Sequence, residues 1–135
     1  MATRGLITEV LDQRRFAVSG ASTDKSKPGN QVYRALKAAG YEVYAVNPKA
    51  DKIDGDTCYP SLDNVPERPD CVVTITPPAA TEETIHVAAH LKVPYLWMQP
   101  GSESTAAFNL ARGFSMQIVS GGPCIMEEIK ARDSE

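Results

Sequence analysis

A short segment rich in glycine, serine and lysine follows the first apolar run of the chain. Glycine lets backbone N–H groups approach a ligand closely, and the positive end of a following helix favours an anion. The segment lacks the Gly-x-Gly-x-x-Gly pattern of dinucleotide-binding proteins. It still indicates a phosphate site with two flexible cations, and the alternative is a solvated turn. The candidate residues are Gly20, Ala21, Ser22, Lys25 and Lys27.

A second candidate segment, Asn47, Pro48 and Lys49, follows the second apolar run. Nicotinamide dinucleotide proteins usually have a carboxylate at this position, where it binds the ribose hydroxyls. A neutral amide and a lysine instead suit a ribose that carries a phosphate, because a carboxylate would repel it. NADP and coenzyme A meet that description and NAD does not. The alternative is an Asn-Pro turn followed by a surface lysine.

A third segment, Thr76-Pro77-Pro78, ends the next apolar run. Two consecutive prolines remove two N–H donors and fix an extended backbone. They could form a stiff apolar rim against which an adenine ring or a pantetheine arm rests. The alternative is that these prolines only end a strand.

The elements that must position these segments are short apolar runs alternating with helical patterns. We predict strands over 15–19, 41–46, 70–75, 95–98 and 115–119. Predicted helices cover 6–13, 31–39, 81–91 and 103–112, and a short one follows Pro123. Asn30 is the predicted N-cap of the second helix, and 50–64 is expected to be turn-rich. The pattern predicts a single α/β domain with a doubly wound, Rossmann-like, five-stranded parallel sheet.

Composition limits the classes of protein to consider. The 135 residues are 42% hydrophobic, which can supply the core of one domain over 1–135, and the net charge is −3. This balance argues against a nucleic-acid partner, and no run approaches the ~20 apolar residues that cross a membrane. The chain has Cys 3 and no Cys-x-x-Cys spacing, which favours a reducing cytoplasm over disulfides or structural zinc.

Candidate catalytic residues are few. His86 and His90 have the i, i+4 spacing that zinc sites use, but a solvated helix face explains them better and no metal site is predicted. Cys124 follows Gly-Gly-Pro near a helix start, so its thiol pKa could be lowered and it could form a mixed disulfide. The favoured alternative is a buried, inert cysteine. Ser19 and Ser22 have no evident base, so we expect no complete catalytic constellation.

Several motifs in order give the chain a family resemblance covering about residues 10–130. They are Phe16-Ala-Val-Ser-Gly-Ala-Ser22, Tyr41-Glu-Val-Tyr-Ala-Val-Asn-Pro-Lys49, Cys58-Tyr-Pro-Ser-Leu62 and Leu96-Trp-Met-Gln-Pro-Gly101. Together they resemble the small stand-alone CoA-binding domain proteins. Their fold is similar to the CoA-binding domain at the start of the succinyl-CoA synthetase α subunit. The chain departs from the family at Pro28-Gly-Asn30, where Pro-Ser-Tyr is usual.

The resemblance implies a coenzyme A site at the strand ends. Phosphate contacts would fall at Gly20, Ala21 and Ser22, nucleotide contacts at Asn47, Pro48 and Lys49, and pantetheine contacts at Thr76 and Pro77. The function expected is binding of CoA or an acyl-CoA as a carrier, sensor or regulatory protein. The alternatives are an NADP-dependent reductase and a partner-dependent acyl-CoA ligase component. A homodimer through the Tyr59 region and the C-terminal helix is also possible.

Overall fold

The computed structural model describes residues 3–133, in which helices and strands alternate along most of the chain. The helices are α1 (Arg4–Leu11), α2 (Pro28–Ala38), α3 (Pro78–His90), α4 (Thr105–Gly113) and α5 (Ile125–Asp133). The strands are β1 (Arg15–Ser19), β2 (Glu42–Val46), β3 (Lys52–Ile53), β4 (Asp56–Tyr59), β5 (Cys71–Thr74), β6 (Tyr95–Met98) and β7 (Gln117–Val119). A single 3₁₀ turn, Leu62–Asn64, follows β4.

The strands form one seven-stranded sheet in the order β3-β4-β2-β1-β5-β6-β7. All neighbours are parallel except β3, which runs antiparallel to β4. The Rossmann-like parallel sheet is therefore confirmed, but the prediction of five strands is wrong. The two additional strands lie in the segment 50–64, which we expected to be only turns.

The extra strands form a hairpin joined at Asp54 and Gly55, whose φ angles are 52° and 83°. Positive φ at both central residues is the geometry of the tight hairpin turn that Asp-Gly favours. β4 then pairs with the end of β2, with Cys58 beside Ala45. The hairpin is thus stabilised by an existing strand, so it needs no long apolar run of its own.

The chain changes direction in the sheet between β1 and β5. From β1 it proceeds outward through β2 to the hairpin, then crosses back to β5 and continues outward through β6 and β7. In doubly wound sheets the loops diverge at such a point and leave a crevice beyond the carboxyl ends of the strands. The fold therefore places any ligand site near the ends of β1 and β5.

Helices cover both faces of the sheet. One core cluster joins Ile7 of α1, Leu36 of α2 and Ile125 of α5 to one face. The other joins α3, α4 and the 3₁₀ turn to the opposite face, with Ile85, Ala107 and Leu62 among its members. Within residues 3–133 no helix combines the length and the apolar character needed to span a membrane.

The start of α2 differs from the prediction. Lys27 occupies the N-cap position and Pro28 the first turn, so the expectation that Asn30 caps the helix is wrong. Proline fits the first helical position because its missing N–H would have no intrahelical partner there. Asn30 is instead fully buried in the first turn of α2, where its side chain contacts the loop that follows β1.

Candidate functional site

An open cleft of about 640 Å³ lies beyond the carboxyl ends of β1, β2, β4 and β5. We call it the strand-end cleft. Seven of the ten predicted site residues line it, namely Gly20, Lys27, Asn47, Pro48, Lys49, Thr76 and Pro77. The other three predicted residues do not line the cleft, namely Ala21, Ser22 and Lys25. The remaining lining residues, which were not among the predicted binding residues, are Ser19, Val46, Pro60, Ser61, Leu62, Ile75, Ala80, Glu83, Thr84 and Val87.

Positive charge lies at one end of the strand-end cleft. Lys27 and Lys49 are exposed there, and neither has an ion-pair partner among the described residues. Asp24, in the same loop as Lys27, accepts hydrogen bonds from the hydroxyl and the N–H of Ser26. These bonds lower the pKa of the Asp24 carboxyl, which is fully exposed. The loop therefore combines one fixed carboxylate with the two lysines Lys25 and Lys27.

Two glycines let the loop after β1 pack closely between β5 and α2. Gly20 has a φ of +97°, and a Cβ there would lie 2.7 Å from the carbonyl oxygen of Ile75. A Cβ on Gly29 would lie 2.1 Å from the carbonyl oxygen of Gly20. Gly29 therefore permits the close helix–strand approach that the last glycine of the dinucleotide motif provides. The sequence does not reveal this role of Gly29, because the loop is longer than the loop of that motif.

Asn47 fixes the position of the loop relative to β2. Its Nδ2 donates to the carbonyl oxygen of Ala21 at 2.7 Å, and its Oδ1 accepts from the N–H of Lys49 at 2.8 Å. Ala21 is fully buried, and the Ser22 hydroxyl accepts from the N–H of Asp24. The side chains of Ala21 and Ser22 thus serve the conformation of the loop, whereas those of Lys25 and Lys27 are exposed.

The part of the strand-end cleft formed by α3 and the 3₁₀ turn, which we call the α3 side, is partly apolar. Pro60 and Leu62 line it, as do Ala80 and Val87 of α3. Its floor carries hydroxyl groups, since Ser19 Oγ and Thr84 Oγ1 are 3.1 Å apart. The cleft-lining residues of α3 are Ala80, Glu83, Thr84 and Val87. Their spacing places them on one face of a helix, and this spacing is the signal by which the sequence could have indicated them.

Of the candidate catalytic residues, Ser19 lines the strand-end cleft, whereas Cys124, His86 and His90 lie outside it. Cys124 is half-buried, and its Sγ accepts from Nε2 of Gln99 at 3.4 Å. His86 and His90 are exposed on α3, and the ring of His86 packs edge-on against Phe114. No group of three or more potential metal-ligating side chains occurs within residues 3–133.

The other two cysteines are buried thiols. Burial raises the pKa of both Cys58 and Cys71, so they stay protonated near neutral pH. Neither contributes a side chain to the strand-end cleft. The site is a cleft with lysines at one end and with apolar and hydroxyl groups on its α3 side.

Comparison with known proteins supplies relatives of two kinds. Acetate–CoA ligase [ADP-forming] I of Archaeoglobus fulgidus is 42% identical over 71 residues, which are 50% of this chain and 10% of the ligase. A hypothetical protein from Pyrococcus horikoshii has a solved structure that superposes with a TM-score of 0.91 at 30% identity. That match covers 96% of this chain and 92% of the other.

A multidomain structure also contains the fold. Dinucleotide-forming acetyl-coenzyme A synthetase 1 of Ca. Korarchaeum cryptofilum matches with a TM-score of 0.74 and 26% identity, over 84% of this chain and 27% of that chain. The chain thus spans a small part of the length of the ligases it resembles. The CoA binding domain model matches residues 14–130, nearly the whole chain. The predicted resemblance is confirmed, and the chain belongs to the CoA-binding domain family.

Proposed function

We propose that the chain binds coenzyme A or an acyl-CoA in the strand-end cleft, as a carrier, sensor or regulatory protein without a reaction of its own. The observation that carries this proposal is the composition of the cleft lining, in which the lysines come from the loops after β1 and β2, and the α3 side is partly apolar. CoA has a matching composition, since an anionic nucleotide is joined to a slender pantetheine arm.

The cationic end suits the nucleotide. We infer that the diphosphate lies at Gly20, Ala21 and Ser22, near the N-terminus of α2, where backbone N–H groups and the helix dipole favour an anion. Lys25 and Lys27 would add charge at the diphosphate. The loop fits such a ligand because Gly20 and Gly29 bring its backbone close to neighbouring strands with no side chain in between.

The second phosphate of CoA, on the ribose, would meet Lys49. Asn47 and Pro48 belong to the same segment, and no carboxylate is present there to repel that phosphate. NADP carries a ribose phosphate as well, so an NADP-dependent reductase is the alternative this segment permits. A nicotinamide would then occupy the α3 side in place of the pantetheine arm.

The α3 side suits the pantetheine arm. Thr76 and Pro77 line the cleft, as do Ser19 and Thr84, whose hydroxyls pair. Two amide groups of pantetheine can exchange hydrogen bonds with hydroxyls of this kind, because a hydroxyl both donates and accepts. The apolar side chains of Leu62 and Val87 would cover the intervening methylene groups.

Calorimetric titration of the purified protein tests the proposal. CoA and acetyl-CoA should bind in the titration. In a thermal unfolding measurement both should also raise the melting temperature of the protein, because a ligand that binds the folded state stabilises it, whereas NAD should do neither. Dephospho-CoA should bind more weakly than CoA because it lacks the ribose phosphate. Stabilisation by NADP with no effect of CoA would contradict the proposal and favour the reductase.

A second candidate function is a component of an acyl-CoA ligase, favoured by the likeness to ADP-forming acetate–CoA ligases. Residues 14–130 can replace the corresponding segment of the Archaeoglobus enzyme. CoA-dependent formation of acetyl-CoA by this chimera would support the component role. A chimera that binds CoA and forms no acetyl-CoA would favour the stand-alone role.

The cytoplasmic location and the homodimer stay predictions of the sequence. Light scattering of the purified chain measures the second directly, and a monomer at all concentrations would show that the homodimer prediction is wrong.

A further inference from the structure

Three successive carbonyl groups of the loop after β1 are held against other parts of the protein. The Gly20 oxygen lies against α2, where only a glycine at position 29 leaves room for it. The Ala21 oxygen accepts from Nδ2 of Asn47 at 2.7 Å. The Ser22 oxygen accepts from Nδ2 of Asn30 at 2.8 Å. None of these oxygens is therefore free to turn into the strand-end cleft without breaking a contact.

The two asparagine amides are fixed by their own oxygen atoms. Oδ1 of Asn47 accepts from the N–H of Lys49, and Oδ1 of Asn30 accepts from Nε of Arg34 at 2.6 Å. An amide rotated by half a turn would place oxygen against oxygen, so each amide has one stable orientation. Asn30 is also fully buried, which makes an unpaired amide there costly.

The turn of the β3–β4 hairpin adds support behind Asn30. Nδ2 of Asn30 also lies 3.4 Å from Oδ1 of Asp54, whose other oxygen is 3.8 Å from Nε of Arg34. The β3–β4 hairpin is thus joined through Asn30 to the loop after β1.

Holding the carbonyls in place determines what the loop presents. The N–H groups of Gly20 and Ala21 both donate to the Val46 oxygen. Those of Ser22 and Thr23 have no acceptor among residues 3–133. Neither residue lines the strand-end cleft, but both lie in the loop between Gly20 and Lys27, which do line it. A carbonyl oxygen in the same place would repel a phosphate, whereas these N–H groups can bind one.

We propose that Asn30 and Asn47 are positioning residues, an amide clamp that presents the N–H groups of Ser22 and Thr23 to the phosphates of the ligand. The inference rests on the proposed function for the identity of the ligand. It assigns Asn30 a role that its type and place in the sequence did not suggest, and it makes Asn47 act through the loop.

The test uses Asn30→Ala and Asn47→Ala, with Gln99→Ala as the matched control. Gln99 is also a buried amide that holds a strand-end loop, since it bonds Cys124 and the N–H of Ile125, but it does not line the cleft. Backbone NMR order parameters, measured without any ligand, show whether the loop is held rigid. Those of residues 21–23 should be near 0.85 in the wild type and fall below about 0.6 in both asparagine variants, with no change in Gln99→Ala.

Inorganic pyrophosphate and CoA are then titrated separately while the amide signals of Ser22 and Thr23 are followed. Both asparagine variants should raise the Kd for each ligand about tenfold, and Gln99→Ala should leave it within about twofold. Since Asn47 is only half-buried, its variant keeps the test valid if Asn30→Ala does not fold.

Order parameters that stay at the wild-type level in the asparagine variants would overturn the clamp. Equal losses of pyrophosphate affinity in these variants and in Gln99→Ala would overturn it as well, because the effect would then be one of stability. A wild type that responds to pyrophosphate and not to CoA would contradict the proposed function and leave the clamp supported.

Discussion

The loops after β1, β2, β4 and β5 leave a cleft, whereas those after β6 and β7 close on each other. After β6 and β7, Gln99 bonds both Cys124 and the N–H of Ile125. Nε1 of Trp97 donates to the carbonyl oxygen of Pro123 at 3.2 Å. The side chains of Gln99 and Trp97 thus join the loops of this closed half to each other, and Oε2 of Glu103 is buried there without a partner among the described residues.

The open half uses similar residue types with a different result. Asn47 is an amide like Gln99, yet its bonds hold a loop whose next N–H groups stay unpaired among the described residues. Lys27 and Lys49 add positive charge there. The comparison teaches that binding capacity at this sheet edge depends on which groups the loops leave without a partner.

The largest expected effect comes from Gly29→Ala, which removes the close approach on which the open half is built. A Cβ 2.1 Å from the Gly20 oxygen must displace backbone. We expect the free energy of unfolding in urea to fall by about 3 kcal/mol and CoA binding to be lost.

Gly113→Ala is the matched control, because a Cβ at the end of α4 meets no atom within 4 Å. It should leave CoA binding intact and stabilise the protein by up to about 1 kcal/mol. Equal stability of the two variants would contradict the packing attributed to Gly29.

Lys49→Glu should have the next largest effect, confined to binding. Reversing this charge should raise the Kd for CoA at least about tenfold, with a smaller change for dephospho-CoA, as measured by calorimetry. Lys52→Glu reverses an exposed charge of β3 outside the cleft and serves as the control. Equal losses for both ligands would show that Lys49 does not meet the ribose phosphate.

A pair of threonines compares the two halves directly. Thr74 is buried in the closed half with its hydroxyl 2.9 Å from that of Ser102, whereas Thr84 pairs with Ser19 on the cleft floor. Thr74→Val should lower the free energy of unfolding by about 1 kcal/mol without changing CoA affinity. Thr84→Val should weaken CoA binding severalfold. A loss of CoA affinity in Thr74→Val and none in Thr84→Val would contradict the assignment of the open and the closed half.

The smallest effect is a pH dependence of the hairpin beside the open half. Burial, followed by the hydrogen bond to Asp56 at 2.8 Å, raises the pKa of Tyr33 above its ordinary 10. A raised pKa stabilises the folded state in full below about pH 10, and this contribution is lost as the pH rises toward the pKa of the folded protein.

Urea unfolding at pH 8 and pH 11 measures this loss. The wild type should lose about 1 kcal/mol more than Tyr33→Phe over that interval, because the phenylalanine has no proton to release. Parallel losses in the two proteins would contradict the raised pKa of Tyr33.

Much of the fold follows from the sequence, because β1, β2, β5, β6 and β7 are apolar runs that the core requires. The hairpin does not, since β4 has one buried side chain, Cys58, and is stabilised by pairing with β2. The Asp54-Gly55 pair was the local signal for it. Asn30 was misassigned because Pro28 already provides a favourable helix start.

The site likewise has residues that the sequence indicates and residues that only the packing of the fold reveals. Loops at strand ends can be located from the strands alone, which is how Gly20 and Lys49 were found. The contacts of Gly29 and Asn30 depend on how α2 docks beside β1, and no pattern in the sequence specifies that distance. The wall formed by α3 likewise depends on its packing beside the 3₁₀ turn.

Amide chemical shifts measured while CoA is added test the central claim most directly, because they compare both halves of the sheet edge in one experiment. The account predicts that the perturbed signals belong to Ser22, Thr23, Lys49 and Thr76, while those of Gly101 and Gly122 stay in place. Perturbations concentrated at Gly101 and Gly122, or none at any CoA concentration, would contradict it.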